Sequence, residues 1–160
     1  MPPTALPGPR TFTRRTLLAV SAAGLVAVAG CTSSPDDEGE AVTSEQADEL
    51  AGQVAVQETL VAAYDLAFGA DPALAAAAAD LATQAGEQLD RLRDAAPGDR
   101  PEGRPPTDTP PAAGAQAWLR AQVAAAATSH AAACLDQSGA RAALLGSVAA
   151  GLRGHEARLA

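Results

Sequence analysis

The sequence contains no lysine and no isoleucine, and its only aromatic residues are Phe12, Tyr64, Phe68 and Trp118. Strands draw on β-branched and aromatic side chains, so this shortage argues against a sheet protein. Cysteine is confined to Cys31 and Cys134, which excludes a multi-disulfide framework and any Cys-x-x-Cys motif. There is no glycine-rich phosphate loop and no serine nucleophile elbow, so the usual signatures of nucleotide handling and of serine hydrolysis are absent. All 11 basic residues are arginine, set against 19 acids for a net charge of −8. An acidic chain is repelled by nucleic acid and by anionic lipid head groups, so neither is expected as a direct partner.

What the chain has instead is alanine, 43 of its 160 residues. Alanine is the strongest helix former, but it buries little surface. The pairing of those two properties predicts helices packed closely, backbone against backbone. It also points to a GC-rich coding genome.

Residues 1–31 have a graded layout. A positively charged start ends in Thr13-Arg14-Arg15-Thr16, an apolar run follows from Leu17 to Ala29, and Val28-Ala29-Gly30-Cys31 closes it. This is the pattern of a bacterial export signal, expected over residues 1–30. The apolar run is too short for a membrane span, which needs about 20 residues. Arg14-Arg15 followed by Leu17 and Leu18 resembles a twin-arginine signal, a receptor-read address. Leu17 stands where an aromatic is typical, so the twin-arginine and Sec routes both stay open. Val28-Ala29-Gly30-Cys31 resembles a lipobox, which implies a diacylglyceryl group on Cys31 and a mature chain starting there. Two acyl chains anchor stably where one does not, since each buried methylene contributes about 0.8 kcal/mol. The expected location is the outer face of the bacterial plasma membrane. Arg10, Arg14 and Arg15 leave with the signal, unaccompanied by acids, so the mature chain is more acidic still.

Residues 31–43 read as the lipidated cysteine and a flexible acidic tether. A helical domain is expected over 44–160. Helix 1 is expected from Ser44 to Phe68, capped by Thr43 or Ser44, with Gln46 three residues after Thr43 in capping-box spacing. Leu50, Val54, Val61, Tyr64 and Phe68 mark its apolar stripe, and Gly69 is its expected stop. Asp71-Pro72 opens helix 2 as a cap followed by a first-turn proline. Its seam is Leu74, Ala78, Leu81, Ala85 and Leu92, with Leu89 beside it. Residues 97–111 hold six prolines, which no helix survives. Helix 3 is expected from Ala112 to Gln137, with Leu119, Val123, Ala126, His130 and Ala133 inward and Trp118 and Cys134 flanking. Ser138-Gly139 is read as a stop and a new cap. Helix 4 then runs from Ala140, with Leu145, Val148, Leu152, His155 and Leu159 inward.

Helices 1 and 2, and helices 3 and 4, must form tight antiparallel hairpins because their links are so short. The proline-rich link can extend about 46 Å at 3.1 Å per residue, the length of the bundle. The expected fold is therefore all-α, a four-helix bundle with one long crossover between helices 2 and 3, the ferritin-like arrangement.

Two stretches carry a family likeness. One is Gln57-Glu58-Thr59-Leu60-Val61-Ala62-Ala63-Tyr64 with Asp71-Pro72-Ala73-Leu74. The other runs from Cys134 to Ser138-Gly139, then Leu144-Leu145-Gly146-Ser147-Val148-Ala149-Ala150 and His155-Glu156-Ala157. Over residues 44–160 the chain resembles a ferritin-like domain-of-unknown-function family of exported lipoproteins from high-GC Gram-positive bacteria. The resemblance implies a fold and a location but no activity.

Di-iron bundles need Glu-x-x-His on two helices. That spacing is absent here: Glu58 meets Val61, Glu87 meets Asp90, and Leu152 precedes His155. The candidate ligands for a lesser metal site are His130, His155 and Glu58, with Glu156 adjoining His155. The bland reading of both histidines is a hydrogen bond to a carbonyl, carboxylate or water. No catalytic residue and no cofactor is expected, metal being the one candidate. Asp48, Glu49, Asp80 and Glu87 read as a solvated helix face, and Glu87 with Arg91 as a four-apart ion pair. The leading expectation is a non-enzymatic, lipid-anchored envelope protein that binds or scaffolds another envelope component. The alternatives are a metal-binding or vestigial di-metal domain, and a dimer formed through an alanine-rich face or Cys134. Cys134 itself reads most simply as a small buried apolar residue. The oligomeric state is not set by the sequence.

Overall fold

The computed structural model describes residues 42–96, 98 and 103–160. The expected export signal with Arg14 and Arg15, the lipidation site Cys31 and all but the last residues of the tether lie outside them. The chain divides into residues 1–41 and residues 42–160. The second unit is all-helical, with no strand among the described residues. Its four α-helices are α1 (Ser44–Ala70), α2 (Pro72–Ala95), α3 (Ala115–Ala133) and α4 (Gly139–Arg158).

Local chemistry sets most of the boundaries. Thr43 Oγ1 accepts from the Gln46 N–H at 3.2 Å, and Gln46 Oε1 accepts from the Thr43 N–H at 3.3 Å, completing the expected capping box. Gly69, however, does not stop α1. The helix continues through it to Ala70 because Gly69 never takes the left-handed conformation of a glycine terminator. The break comes at Asp71, held extended by the proline that follows. Asp71 ends one helix and starts the next. Its N–H reaches the Ala67 carbonyl at 2.9 Å, while its carboxylate accepts from Ala73 N and Leu74 N.

Helix 3 is shorter than expected as an α-helix. Ala112–Gly114 and Cys134–Asp136 at its two ends tighten into 3₁₀ turns. Ser138 also departs from expectation, since its side chain makes no capping bond. Its carbonyl accepts from the Ala142 N–H instead, and Gly139 with φ +53° turns the chain into α4.

α1 packs on both α2 and α3, α3 packs on α4, and α2 meets α4 more lightly, so α1 and α4 lie across the bundle diagonal. The start of α3 lies beside Asp71 and the chain end at Leu159, lining one cleft with them. Gln116 Nε2 donates to the Leu159 carbonyl at 3.2 Å. α2 and α3 therefore run in the same direction, and the segment between them travels from one end of the bundle to the other. Gly103 fastens that segment to α1. A Cβ there would lie 2.6 Å from the Ala55 carbonyl oxygen, so only glycine fits.

Every expected inward residue of helices 2, 3 and 4 is buried. In α1 the stripe is wider and shifted. Leu50, Val54 and Tyr64 are buried, but Val61 and Phe68 are half-buried, and Leu60, Ala63, Ala67, Gln53 and Gln57 join the core. A helix with two large neighbours buries a broad face, and alanine and glutamine give little hydrophobic signal to mark it. Among the described residues, no helix is long and apolar enough to cross a membrane.

Candidate functional site

Two histidine centres cross the core at different levels. The first is built on Gln57, which is fully buried near the middle of α1. Its amide Nε2 donates to the Ala85 carbonyl at 2.9 Å and to Gln88 Oε1 at 3.3 Å, both on α2. A backbone carbonyl can only accept, so the orientation of the Gln57 amide is determined, and its Oε1 faces His130 Nε2 at 3.0 Å. His130 must therefore carry its proton on Nε2. The lone pair on Nδ1 is buried and has no hydrogen-bond partner. Burial also pushes the His130 pKa down to about 4, so the ring is neutral at pH 7. Beside this centre, Ser129 donates to Gln53 Oε1 at 3.2 Å, and Gln53 donates to Glu49 at 3.1 Å.

The second centre is closed at both ring nitrogens. Burial raises the Tyr64 phenol above its ordinary value, keeping the O–H protonated to donate to His155 Nδ1 at 3.0 Å. His155 Nε2 then donates to Gln84 Oε1 at 3.3 Å. The rings of Tyr64 and His155 meet edge to face, as do those of Tyr64 and Phe68. The contact ties α1 to α4 across the diagonal. Burial lowers the His155 pKa, and the nearby Arg158 guanidinium adds to that while Asp80 opposes it. Arg158 and Asp80 form an exposed ion pair that holds the Asp80 carboxyl below its usual range.

The two centres do not converge. Their α1 partners, Gln57 and Tyr64, are seven residues apart, ~10 Å along the helix at 1.5 Å per residue. Glu58 corrects the sequence expectation. It faces away from the core, half-buried, and takes a hydrogen bond from Arg93 at 2.8 Å and one from the Gly103 N–H at 2.6 Å. The inward position belongs to its neighbour Gln57, roughly 100° around the helix. Glu58 is thus a clasp for the crossing segment. Among the described residues no group of three or more His, Cys, Asp or Glu side chains is positioned to hold a metal ion.

Glu156 pairs with Arg153 at 2.8 Å, and Glu87 pairs with Arg91 at 3.7 Å with the expected spacing. Cys134 is half-buried, donates to the Ala142 carbonyl and packs against Gly146. The glutamines were the residues missed from sequence. Leu50, Gln57 and Tyr64 recur every seven residues, and a polar residue on such an inward row demands a buried partner. That row, set against the inward His130, was the available signal. Comparison with protein-family models, with curated proteins and with solved structures finds no match to this chain.

Proposed function

We propose that this protein is an exported lipoprotein, anchored through Cys31 to the outer face of the bacterial plasma membrane. In this reading its helical domain is ferritin-like and acts as a non-enzymatic binding or scaffolding module of the cell envelope. The observation that carries the non-enzymatic part is the use made of the chain's two histidines. Each is spent on neutral hydrogen bonds inside the core, at separate levels, with Glu58 turned outward. The anchoring part rests on Val28-Ala29-Gly30-Cys31 behind the apolar run from Leu17. Replacing Cys31 with Ala is expected to move the protein out of the membrane fraction or to leave an uncleaved precursor. A mature, membrane-bound Cys31→Ala protein would sink the anchor.

One observation favours the second reading, a metal-binding or vestigial di-metal domain, and it is the unpartnered Nδ1 of His130. Elemental analysis of the full chain after equilibration with Fe(II), Zn(II) and Mn(II) decides between them. The expected result is no stoichiometric metal. One equivalent that disappears in His130→Ala, whether or not it survives in His155→Ala, would overturn the scaffold reading.

A further inference from the structure

Residues 105–111 read Pro-Pro-Thr-Asp-Thr-Pro-Pro, on the segment that crosses from α2 to α3. They lie outside helix and strand. The prolines have no N–H to give to either, and they favour an extended, solvated backbone. The segment is seated on the bundle on both sides of the two threonines. The Gly103 N–H donates to Glu58 at 2.6 Å, and Pro110 is buried. Between those points Thr107, Asp108 and Thr109 are all exposed.

Their hydroxyls also stand apart from those of the other threonines. Six threonines fall among the described residues. Thr43 caps α1, while Thr59, Thr83 and Thr128 each donate to the carbonyl four residues back in their helix. Among the described residues only Thr107 and Thr109 are threonines whose hydroxyl has no protein partner.

We propose that Thr107 and Thr109 are O-glycosylation sites, each hydroxyl taking a neutral sugar from a donor in which the sugar is linked to a lipid phosphate. The proposal rests on the export and anchoring reading above, which brings the chain to the membrane surface where such a donor is held. Threonine interspersed with proline is the composition of O-glycosylated stalks. An extended segment has no internal hydrogen bonds to break, so a separate transferase can seat it directly, whereas Thr59, Thr83 and Thr128 are fixed within helices. In the transfer, threonine Oγ1 attacks the anomeric carbon and a new C–O bond forms. The bond from that carbon to the donor phosphate breaks, the phosphate leaves with the electron pair, and the hydroxyl proton passes to a base of the transferase. Charge favours a sugar over a phosphate at these positions. Asp108 lies between the two threonines in a chain of net charge −8, so phosphates would place further anions on either side of a carboxylate, while a neutral sugar adds none.

The test uses the full chain purified from the membranes of the bacterium that makes it. Trypsin cuts after arginine except before proline and so releases residues 94–120, in which Thr107 and Thr109 are the only hydroxyl-bearing side chains. Mass spectrometry is expected to find this peptide heavier by whole sugar residues, with fragmentation placing them on Thr107 and Thr109. Thr107→Ala and Thr109→Ala should each lose the sugar at the substituted position, and the double variant should return the peptide to its bare mass. A bare peptide from a membrane-bound chain cleaved at Cys31 overturns the proposal and leaves the anchor standing. A bare peptide from an uncleaved, cytoplasmic chain overturns both. A phosphate increment on the peptide, or sugars confined to Thr32, Ser33 and Ser34 of the tether, also overturns it.

Discussion

His155 and His130 are both buried imidazoles with Nε2 donating to a glutamine oxygen, yet one ring is complete and the other is not. At His155 the Tyr64 hydroxyl closes Nδ1. At His130 nothing does. The atom left unused at His130 is an acceptor, not a donor. A neutral imidazole lone pair forgoes one hydrogen bond, whereas a proton added there would bring a buried charge with no acceptor.

The largest expected effect exploits that asymmetry through acid. The folded pKa of His130 lies at about 4, below the ordinary 6.5, so the unfolded chain binds the proton first. The contribution to stability is full above the ordinary value and is lost as pH falls through the window from 6.5 to 4. The loss should reach roughly 3 kcal/mol, measured by urea unfolding at several pH values. His130→Leu should flatten the slope. An unchanged slope would mean that His130 is not the group responsible.

A smaller effect comes from making the two centres alike. Tyr64→Phe should strand Nδ1 of His155 as it is stranded at His130, costing about 1–2 kcal/mol. Gln57→Leu should cost about 2 kcal/mol because it orphans a buried N–H of His130. His130→Leu combined with Gln57→Leu should cost less than the sum of the two separately, since the pair is removed together. Strict additivity would break the account of the bond between them.

The smallest effect separates the centres by their surroundings. Arg158→Gln removes a cation that lowers the His155 pKa, so the His155 titration followed by NMR should move upward while that of His130 stays in place. Movement of both would contradict their separation.

Much of the fold was legible because its determinants are local. Thr43 with Gln46, and Asp71 before Pro72, are caps written in short stretches of sequence. The seams of α2, α3 and α4 follow a periodicity that leucine and valine make visible. Gly69 misled because glycine permits a left-handed stop without requiring one, and the following proline did the work at Asp71 instead. α1 was less legible for a related reason. Its buried face includes Gln53, Gln57, Ala63 and Ala67, which hydrophobicity does not distinguish from an exposed face. The inward placement of both histidines was readable from spacing. The outward turn of Glu58 was not, because the neighbour that takes the inward position is Gln57, which gives no hydrophobic signal, and the partner that holds Glu58 outside, Gly103, lies 45 residues further along the chain.

The sequence by itself determined that the described unit would be all-helical, where its four helices would fall and which residues of three of them would be buried. Propensity, capping and periodicity act within a few residues, so they can be read without knowing the fold. The tertiary structure alone decided which partner each buried polar group received. Gln57 meets His130 from 73 residues away and Tyr64 meets His155 from 91. Such pairs form only when helix packing brings remote levels together, and a hydrogen bond a few ångströms long leaves no trace in sequence spacing.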